Sequence, residues 1–243
     1  MRIIAAPLIA GFCVIIAFWI VSSAIKYKTR SVETIVVTGL ADKDFVSDLI
    51  VWNGSYARKS LDLKSAYAAL KQDETAIRQY LKGKGIGDGE MVFSSVVINK
   101  EFNTRSDDNG KQIGQEFTGY NLTQTVKVES VNVDKVEKIS REVTELIESG
   151  IELNSSPPDY YYSKLTDVKI DLLGKASADA RSRAQTIAKN SGTSLGKLRK
   201  ANMGVFQITG KNSNEDYSYG GAFNTSQKNK TGSITIKMEF ATD

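Results

Sequence analysis

Residues 176–188 read ASADARSRAQTIA, a stretch in which alanine returns at every fourth position. The repeated positions are Ala176, Ala180, Ala184 and Ala188. Residues four apart share one face of an α-helix, and small side chains let another helix or a β-sheet approach that face closely. The stretch therefore predicts a long helix over residues 165–190 that packs tightly on a neighbouring element. The same four alanines are also a candidate surface for self-association.

Strand signals lie on both sides of this helix. Residues 234–240 (ITIKMEF) alternate between apolar and polar side chains, as a strand with one buried face does. Residues 33–39 (ETIVVTG) are mostly β-branched and end at a glycine. Further strands are predicted at residues 45–56, 91–99, 120–128 and 200–209. Two polar stretches are predicted to be loops, residues 103–114 and 211–231.

Two further helices are predicted from apolar residues at three- and four-residue spacings. The first covers residues 63–81 and ends before Gly85. The second begins near Asp134, where Glu137 three residues later makes a capping-box arrangement, and ends at Gly150. An isoleucine follows Gly85 and Gly150, which places an apolar side chain where it can pack back on the helix. The two helix ends therefore use one repeated device.

Together these elements predict an α+β fold. Antiparallel sheets pack with about three helices, and one N-terminal transmembrane helix precedes them. We assign residues 1–30 to a membrane anchor, or an uncleaved signal, with a basic flank. Residues 31–243 contain no dispensable linker and are treated as one α+β domain.

The anchor is predicted from a run without charged residues between Ile3 and Ile25. At helical rise this run spans about 34 Å, enough for a hydrocarbon core of about 30 Å. A cleaved signal peptide is the alternative, with Ser22 and Ala24 as small residues at the cut, although its apolar region is usually shorter. We therefore expect a single-pass protein in the cytoplasmic (inner) membrane.

The charge distribution bears on orientation and partners. Arg2 precedes the apolar run and three basic residues follow it within residues 26–30, which by the positive-inside rule favours a cytoplasmic domain. These four side chains account for the whole net charge of +4, because residues 31–243 hold equal numbers of basic and acidic side chains. A neutral domain has no electrostatic footprint for nucleic acid, so none is expected as a partner.

The residue inventory limits the chemistry. The chain has no histidine, and its one cysteine, Cys13, lies in the apolar run. The usual serine triad, a cysteine nucleophile outside the membrane and the common zinc sites are thereby excluded. Lys230-Thr231-Gly232 matches the K-T-G motif of penicillin-recognising enzymes, but its S-x-x-K partner at Ser194 is too close in sequence, and we interpret both as chance. We predict no enzyme, no catalytic residue, no metal and no cofactor.

Aromatic residues mark the candidate binding surface. They form two groups, Tyr160, Tyr161 and Tyr162 after Pro157-Pro158, and Tyr217, Tyr219 and Phe223 in the long polar stretch. Three consecutive tyrosines cannot all face inward from one element, and a Gly-rich loop does not require aromatic side chains for a core. Tyrosine offers large contact area with a polar tip and is favoured at interfaces. The alternative is a groove beside these residues that holds an unidentified small molecule.

An ordered set of short motifs resembles a known family. The set is Val37-Thr38-Gly39, Gly85-Ile86, Tyr120, Val131, Gly150-Ile151, Ala176-x-x-Asp179-Ala180-Arg181-x-x-Ala184, Gly192 and Leu195-Gly196. Over residues 32–241 this order resembles the SIMPL domain family of YggE-like bacterial envelope proteins. The chain departs from it after Gly39, where relatives commonly carry a Gly-rich turn and a Pro-Asp pair.

The resemblance implies an α+β fold, a periplasmic location for the domain and a tendency to self-associate. It implies no established enzyme activity, and it links the chain to envelope integrity and oxidative-stress defence. We give it more weight than the charge count near the membrane. The function expected is a non-enzymatic, membrane-anchored envelope protein that forms homo-oligomers. The alternative is a periplasmic module that binds a small molecule, lipid or glycan.

Overall fold

The computed structural model describes residues 15–23, 33–106 and 112–242. Residues 15–23 are helical. The rest of the predicted span Ile3–Ile25 and all of its basic flank lie outside the described residues. Among the helices in these ranges, none has both the length and the hydropathy required to cross a bilayer.

After residue 32 the described chain alternates strands with three α-helices, which agrees with an α+β fold. The strands are β1 (Thr34–Val46), β2 (Leu49–Ser60), β3 (Met91–Phe93), β4 (Val97–Ser106), β5 (Gln112–Ser130), β6 (Leu153–Ser155), β7 (Asp159–Tyr161), β8 (Leu195–Met203), β9 (Gln207–Gly210) and β10 (Asn229–Thr242). The helices are α1 (Leu63–Gly83), α2 (Val133–Glu142) and α3 (Leu165–Asn190), with 3₁₀ turns at Asp88–Glu90 and Val143–Ser149. The sequence predicts antiparallel sheets, and this is confirmed: β10 pairs antiparallel with β8 and β9, β2 with β5, β6 and β7, and β5 with β3 and β4.

The chain divides into two compact units. The first comprises the described residues within 1–41, 173–204 and 234–243, and the second those within 42–172 and 205–233. In the first unit β10 lies between β1 and β8. In the second unit β5 and β2 are central, β3 and β4 pair with β5, and β6 and β7 pair with β2.

Small residues set the packing of the first unit. The side chains of Ala176, Ala180 and Ala184 are fully buried. A Cβ atom on Gly39 of β1 would lie 2.2 Å from the carbonyl oxygen of Ala176, so only glycine permits this approach. The Leu40 N–H also donates to Asp179 Oδ2 at 2.9 Å. The close approach predicted from the alanine spacing is therefore made by α3 and β1.

Large apolar side chains build the core of the second unit. Trp52 and Ile50 of β2 are completely buried, as are Leu70 and Ile77 of α1 and Val136 of α2. The two helices pack on the sheet through most of the apolar stripes that the sequence predicts, because each stripe repeats at helical spacing while β2 and β5 alternate at strand spacing. Leu63, Tyr67 and Ile147, which the spacing also assigns to these stripes, are exposed. A sheet with helices on its apolar face results.

The predicted helix-ending device is confirmed. Gly85 and Gly150 have left-handed φ values of 84° and 72°. The N–H of Ile86 donates to the Leu81 carbonyl at 3.0 Å, and that of Ile151 donates to the Leu146 carbonyl at 3.1 Å. These are Schellman bonds, which satisfy the last free carbonyls of a helix. Both isoleucines are buried.

Several predicted boundaries are wrong. Residues 103–106 and 112–114, predicted as loop, belong to β4 and β5, because strands exposed on both faces need no apolar alternation. The strand predicted at 45–56 is divided between β1 and β2 at residues 47–48. The strand predicted at 200–209 is divided between β8 and β9 at residues 204–206.

Candidate functional site

The consecutive tyrosines are largely structural. Tyr160 is buried on β7, and its N–H donates to the Thr225 carbonyl at 2.7 Å. The ring of Tyr162 packs on Phe45 with centroids 4.8 Å apart. Tyr161, on the opposite face of the strand from Tyr160, is half-buried. These side chains therefore offer little free surface to a partner.

The second aromatic group lies on a loop, residues 211–228, which we call the aromatic loop. Tyr219 is fully exposed, and Tyr217 and Phe223 each expose more than half of their surface. The Tyr217 hydroxyl lies 3.2 Å from Ser233 Oγ. Exposed aromatic side chains of this kind are enriched at protein interfaces. The loop presents the contact chemistry that the sequence suggested.

A buried amide holds the aromatic loop in place. Gln207 Oε1 accepts from the N–H groups of Ser218 at 3.2 Å and Ala222 at 2.7 Å, while its Nε2 donates to the Ser218 carbonyl at 2.9 Å. Backbone bonds between Ile208 and both Ala222 and Asn224 continue the attachment. The loop is therefore tied at its centre as well as at its ends.

Lys230 holds the same loop from the other side. Only 2% of this residue is exposed, and its Nζ donates to the carbonyl and the side-chain oxygen of Asn224. Burial lowers the pKa of the Lys230 ammonium to about 8, although the negative charges of Glu215 and Asp159 oppose this shift. Lys230 belongs to the K-T-G sequence, and its contacts assign it to loop support.

The alanine stripe is not a free surface. Ala176, Ala180, Ala184 and Ala188 are 0–2% exposed, and the stripe faces the chain's own strand β1 at Gly39. Burial within the first unit leaves no area there for a second copy. We therefore withdraw these four residues from the candidate self-association surface.

The structure adds a surface that the sequence did not indicate. β4 pairs with residues 112–123 of β5, and we call these paired segments the hairpin arm. Residues 120–123 of β5 also pair with β2, so the arm is two-stranded only at residues 101–106 and 112–119. Nearly every residue of β4 is exposed, and so are residues 112–117 of β5. Salt bridges of Lys59 with Glu101 and of Arg105 with Glu116 lie along it. A sheet of only two strands with both faces in water gains little stability from burial.

The arm carries an aromatic row that continues the core of the second unit. Phe102 and Phe117 face each other with centroids 5.6 Å apart, and Phe117 is 5.2 Å from Tyr120, which packs on the core. Phe102 is 51% exposed. The row therefore runs from the core outward onto a face that the described residues leave open.

An apolar groove adjoins this row at the start of α1. It has a volume of about 420 Å³ and is lined by Leu63, Tyr67, Ile98 and Leu122 together with Asp62 and Lys64. Leu63, Tyr67 and Ile98 are each at least one-third exposed. We call these three residues, together with the exposed Phe102 and Phe117 of the arm, the arm patch.

Sequence reasoning missed the arm patch and the buried lysine. The sequence gives one signal of the arm patch: Phe102 and Phe117 are isolated aromatic residues in a polar stretch. Lys230 has the same parity as Ile234 and Phe240, so extending the β10 alternation backwards would have placed it on the buried face. In the described ranges no group of three or more His, Cys, Asp or Glu is arranged to hold a metal.

Comparison with known proteins gives one family. The sequence model of SIMPL, described as a protein of unknown function (DUF541), matches residues 35–240. A search of curated proteins finds no match. The contact between Gly39 and α3 joins two motifs of the resemblance noted above, Val37-Thr38-Gly39 and the alanine–aspartate motif. Because the match covers most of its length, the chain belongs to the SIMPL family.

Proposed function

We propose that this chain is a non-enzymatic, membrane-anchored envelope protein that self-assembles, with a role in envelope integrity or stress defence. The observation that carries the proposal is the arm patch. Exposed apolar side chains on the arm and the neighbouring start of α1 cost solvation free energy in a lone copy, and burial against a second copy recovers it. The periplasmic location and the membrane anchor are proposed from the sequence.

The aromatic loop supports the same proposal. Gln207 and Lys230 fix its backbone, so Tyr217, Tyr219 and Phe223 lose little additional backbone entropy when a partner covers them. Pre-organised aromatic residues are frequent centres of binding free energy in interfaces. The loop would contribute a second contact region to the assembly.

The mass of the full-length protein extracted from its membrane tests this proposal. Native mass spectrometry should give a discrete multi-subunit mass. The double variant Ile98→Lys/Phe102→Lys should shift it to a monomer, because two charges would be buried in an apolar contact. Ile170→Lys is the matched control, since Ile170 is exposed on α3 outside the arm patch. A wild-type protein that is monomeric at micromolar concentration would contradict the proposal.

Binding of an apolar small molecule is the second candidate, favoured by the groove of about 420 Å³ beside Leu63 and Ile98. Mostly apolar grooves of this size hold small ligands in many proteins. A monomer that carries an extra small mass in the same experiment, lost in the Ile98→Lys/Phe102→Lys variant, would favour this function over assembly.

A further inference from the structure

One edge of β1 has no partner strand among the described residues. The Glu33 carbonyl accepts from the Thr242 N–H of β10 at 3.0 Å, whereas the Leu40 N–H donates to Asp179 on α3. Since the backbone groups of a strand alternate in direction, residues with even numbers point away from β10. The backbone groups of Thr34, Val36 and Thr38 therefore face outward.

A groove lies along this open edge. Its volume is about 490 Å³, and Val36, Val37 and Thr38 line one side while residues of α3 line the other. The α3 residues are Ser182, Arg183, Thr186 and Ile187. Ile187 is 44% exposed, so the helix offers apolar contact next to unpaired backbone groups. This combination fits an extended segment added as another strand, with backbone bonds to β1 and side chains against α3.

The edge also lacks the protection found on the opposite edge of the same sheet. Residues 34–40 of β1 (TIVVTGL) contain no charged side chain. β8, at the other end of the strand order, carries Lys197, Arg199 and Lys200. Charged residues on an edge strand oppose pairing with other chains. Of these two edges, only that of β1 is suited to accept a strand.

A second copy of β1 does not fit this edge. At Gly39 the helix α3 lies directly on β1, since a Cβ there would meet the Ala176 carbonyl. Two β1 strands paired about a two-fold axis would lie about 4.8 Å apart and would carry their α3 helices to a similar separation. Helices pack at about 8–10 Å, so the two helices would overlap. The added strand must have no helix above it.

The hairpin arm meets this requirement. β4 pairs with β5 on one side only, and nine of its ten residues are exposed. It is therefore an edge strand, and beyond the groove beside α1 its faces are open. Unlike β8, it carries charges of both signs, and two of its three charged side chains are already ion-paired, Glu101 with Lys59 and Arg105 with Glu116. Phe102, the central aromatic residue of β4, could contact Ile187 and bury apolar area on both copies.

We propose that β4 of one copy adds to the open edge of β1 in a second copy, beneath α3. The inference rests on the proposed self-assembly and names its interface. Donor and acceptor are different surfaces, so every copy has one of each and the contact is heterologous. Contacts of this type build rings when the rotation closes and filaments when it does not.

Cross-linking between single-cysteine variants tests the pairing in the full chain, with Cys13→Ser as background. Thr38→Cys labels the acceptor, and Asn99→Cys or Asn103→Cys labels the arm at two registers. With a short dithiol cross-linker, a mixture of Thr38→Cys and arm variants should give a covalent dimer. Lys200→Cys on β8 replaces Thr38→Cys in the matched control, which should give none.

The outcomes separate this inference from the proposed function. Assembly that is preserved while Thr38→Cys links to itself, or to no arm position, would overturn the strand pairing and leave self-assembly standing. Absence of assembly in the wild type would remove both. Val36→Pro gives a second, independent test, because it removes the outward-facing N–H of residue 36 and leaves the backbone bonds between β1 and β10 in place. It should weaken assembly at least tenfold, whereas Val36→Thr, which keeps the N–H, should not.

Discussion

At the scale of single residues, Lys230 combines near-complete burial with neutral hydrogen-bond partners on Asn224. A buried ammonium loses hydration that two amide oxygens replace only in part, and this loss is the cause of its lowered pKa. The side chain holds the aromatic loop at a cost in stability while it is charged.

The pH dependence of stability should report this cost. The unfolded lysine, with a pKa near 10.5, keeps its proton between pH 8 and 10.5 while the folded one releases it. The unfolded state then binds more protons, so the free energy of unfolding should rise across this window, by about 3 kcal/mol in total from this group. Below pH 8 both states are protonated and the contribution is flat.

Denaturant unfolding between pH 7.5 and 10.5 measures this rise in the free energy of unfolding. Lys230→Met keeps the length of the side chain and removes the titration, so the difference between wild type and variant should change with pH in the direction given. Parallel pH profiles for the two proteins would show that Lys230 is not buried as described.

Gly39 is the second residue with a sharp expectation. Gly39→Ala places a methyl group 2.2 Å from the Ala176 carbonyl oxygen, so β1 and α3 must separate. We expect a loss of about 1–3 kcal/mol in the free energy of unfolding. Gly174→Ala, in the helix α3 that Gly39 contacts, is the control, because nothing lies within 4 Å of its added Cβ and alanine favours a helix. Thermal unfolding of both variants would decide, and equal midpoints would contradict the close approach.

At the scale of elements, the aromatic loop depends on one amide. Gln207→Leu removes four hydrogen bonds to the loop and to Val205 while keeping a side chain of similar size. The freed N–H groups of Ser218 and Ala222 should exchange with solvent at least tenfold faster. Hydrogen-exchange mass spectrometry of residues 211–228 measures this, with β2 as the internal reference. Unchanged protection of the loop would assign its order to other contacts.

The elements also show which parts of the fold the sequence predicts well. α1 ends two residues before Gly85, and the 3₁₀ turn that follows α2 ends directly before Gly150, because a left-handed residue followed by an apolar one is a local signal. The arm could not be recognised in the same way. Its strands are held by pairing between β4 and β5, and neither face is buried enough to impose a period of two on the side chains.

At the scale of the whole molecule, the aromatic loop and the alanine stripe, the two surfaces that the sequence offered, differ in how well the sequence predicts their exposure. Tyr217 and Tyr219 stand out as aromatic residues in a Gly-rich stretch, and they are exposed. The alanine stripe is also a clear pattern, but spacing alone does not say whether the close partner is another copy or a strand of the same chain. That distinction needs Gly39, which is 137 residues before Ala176.

The uncharged edge of β1 has a consequence for the protein before any neighbour reaches it. A newly made copy carries TIVVTGL at an open edge with no lysine or proline to discourage pairing. Such segments nucleate disordered aggregates when they stay exposed, at a rate that grows with concentration. Overproduction should therefore favour aggregation of this protein. We expect a cell that makes this protein to keep its concentration low or to degrade the excess.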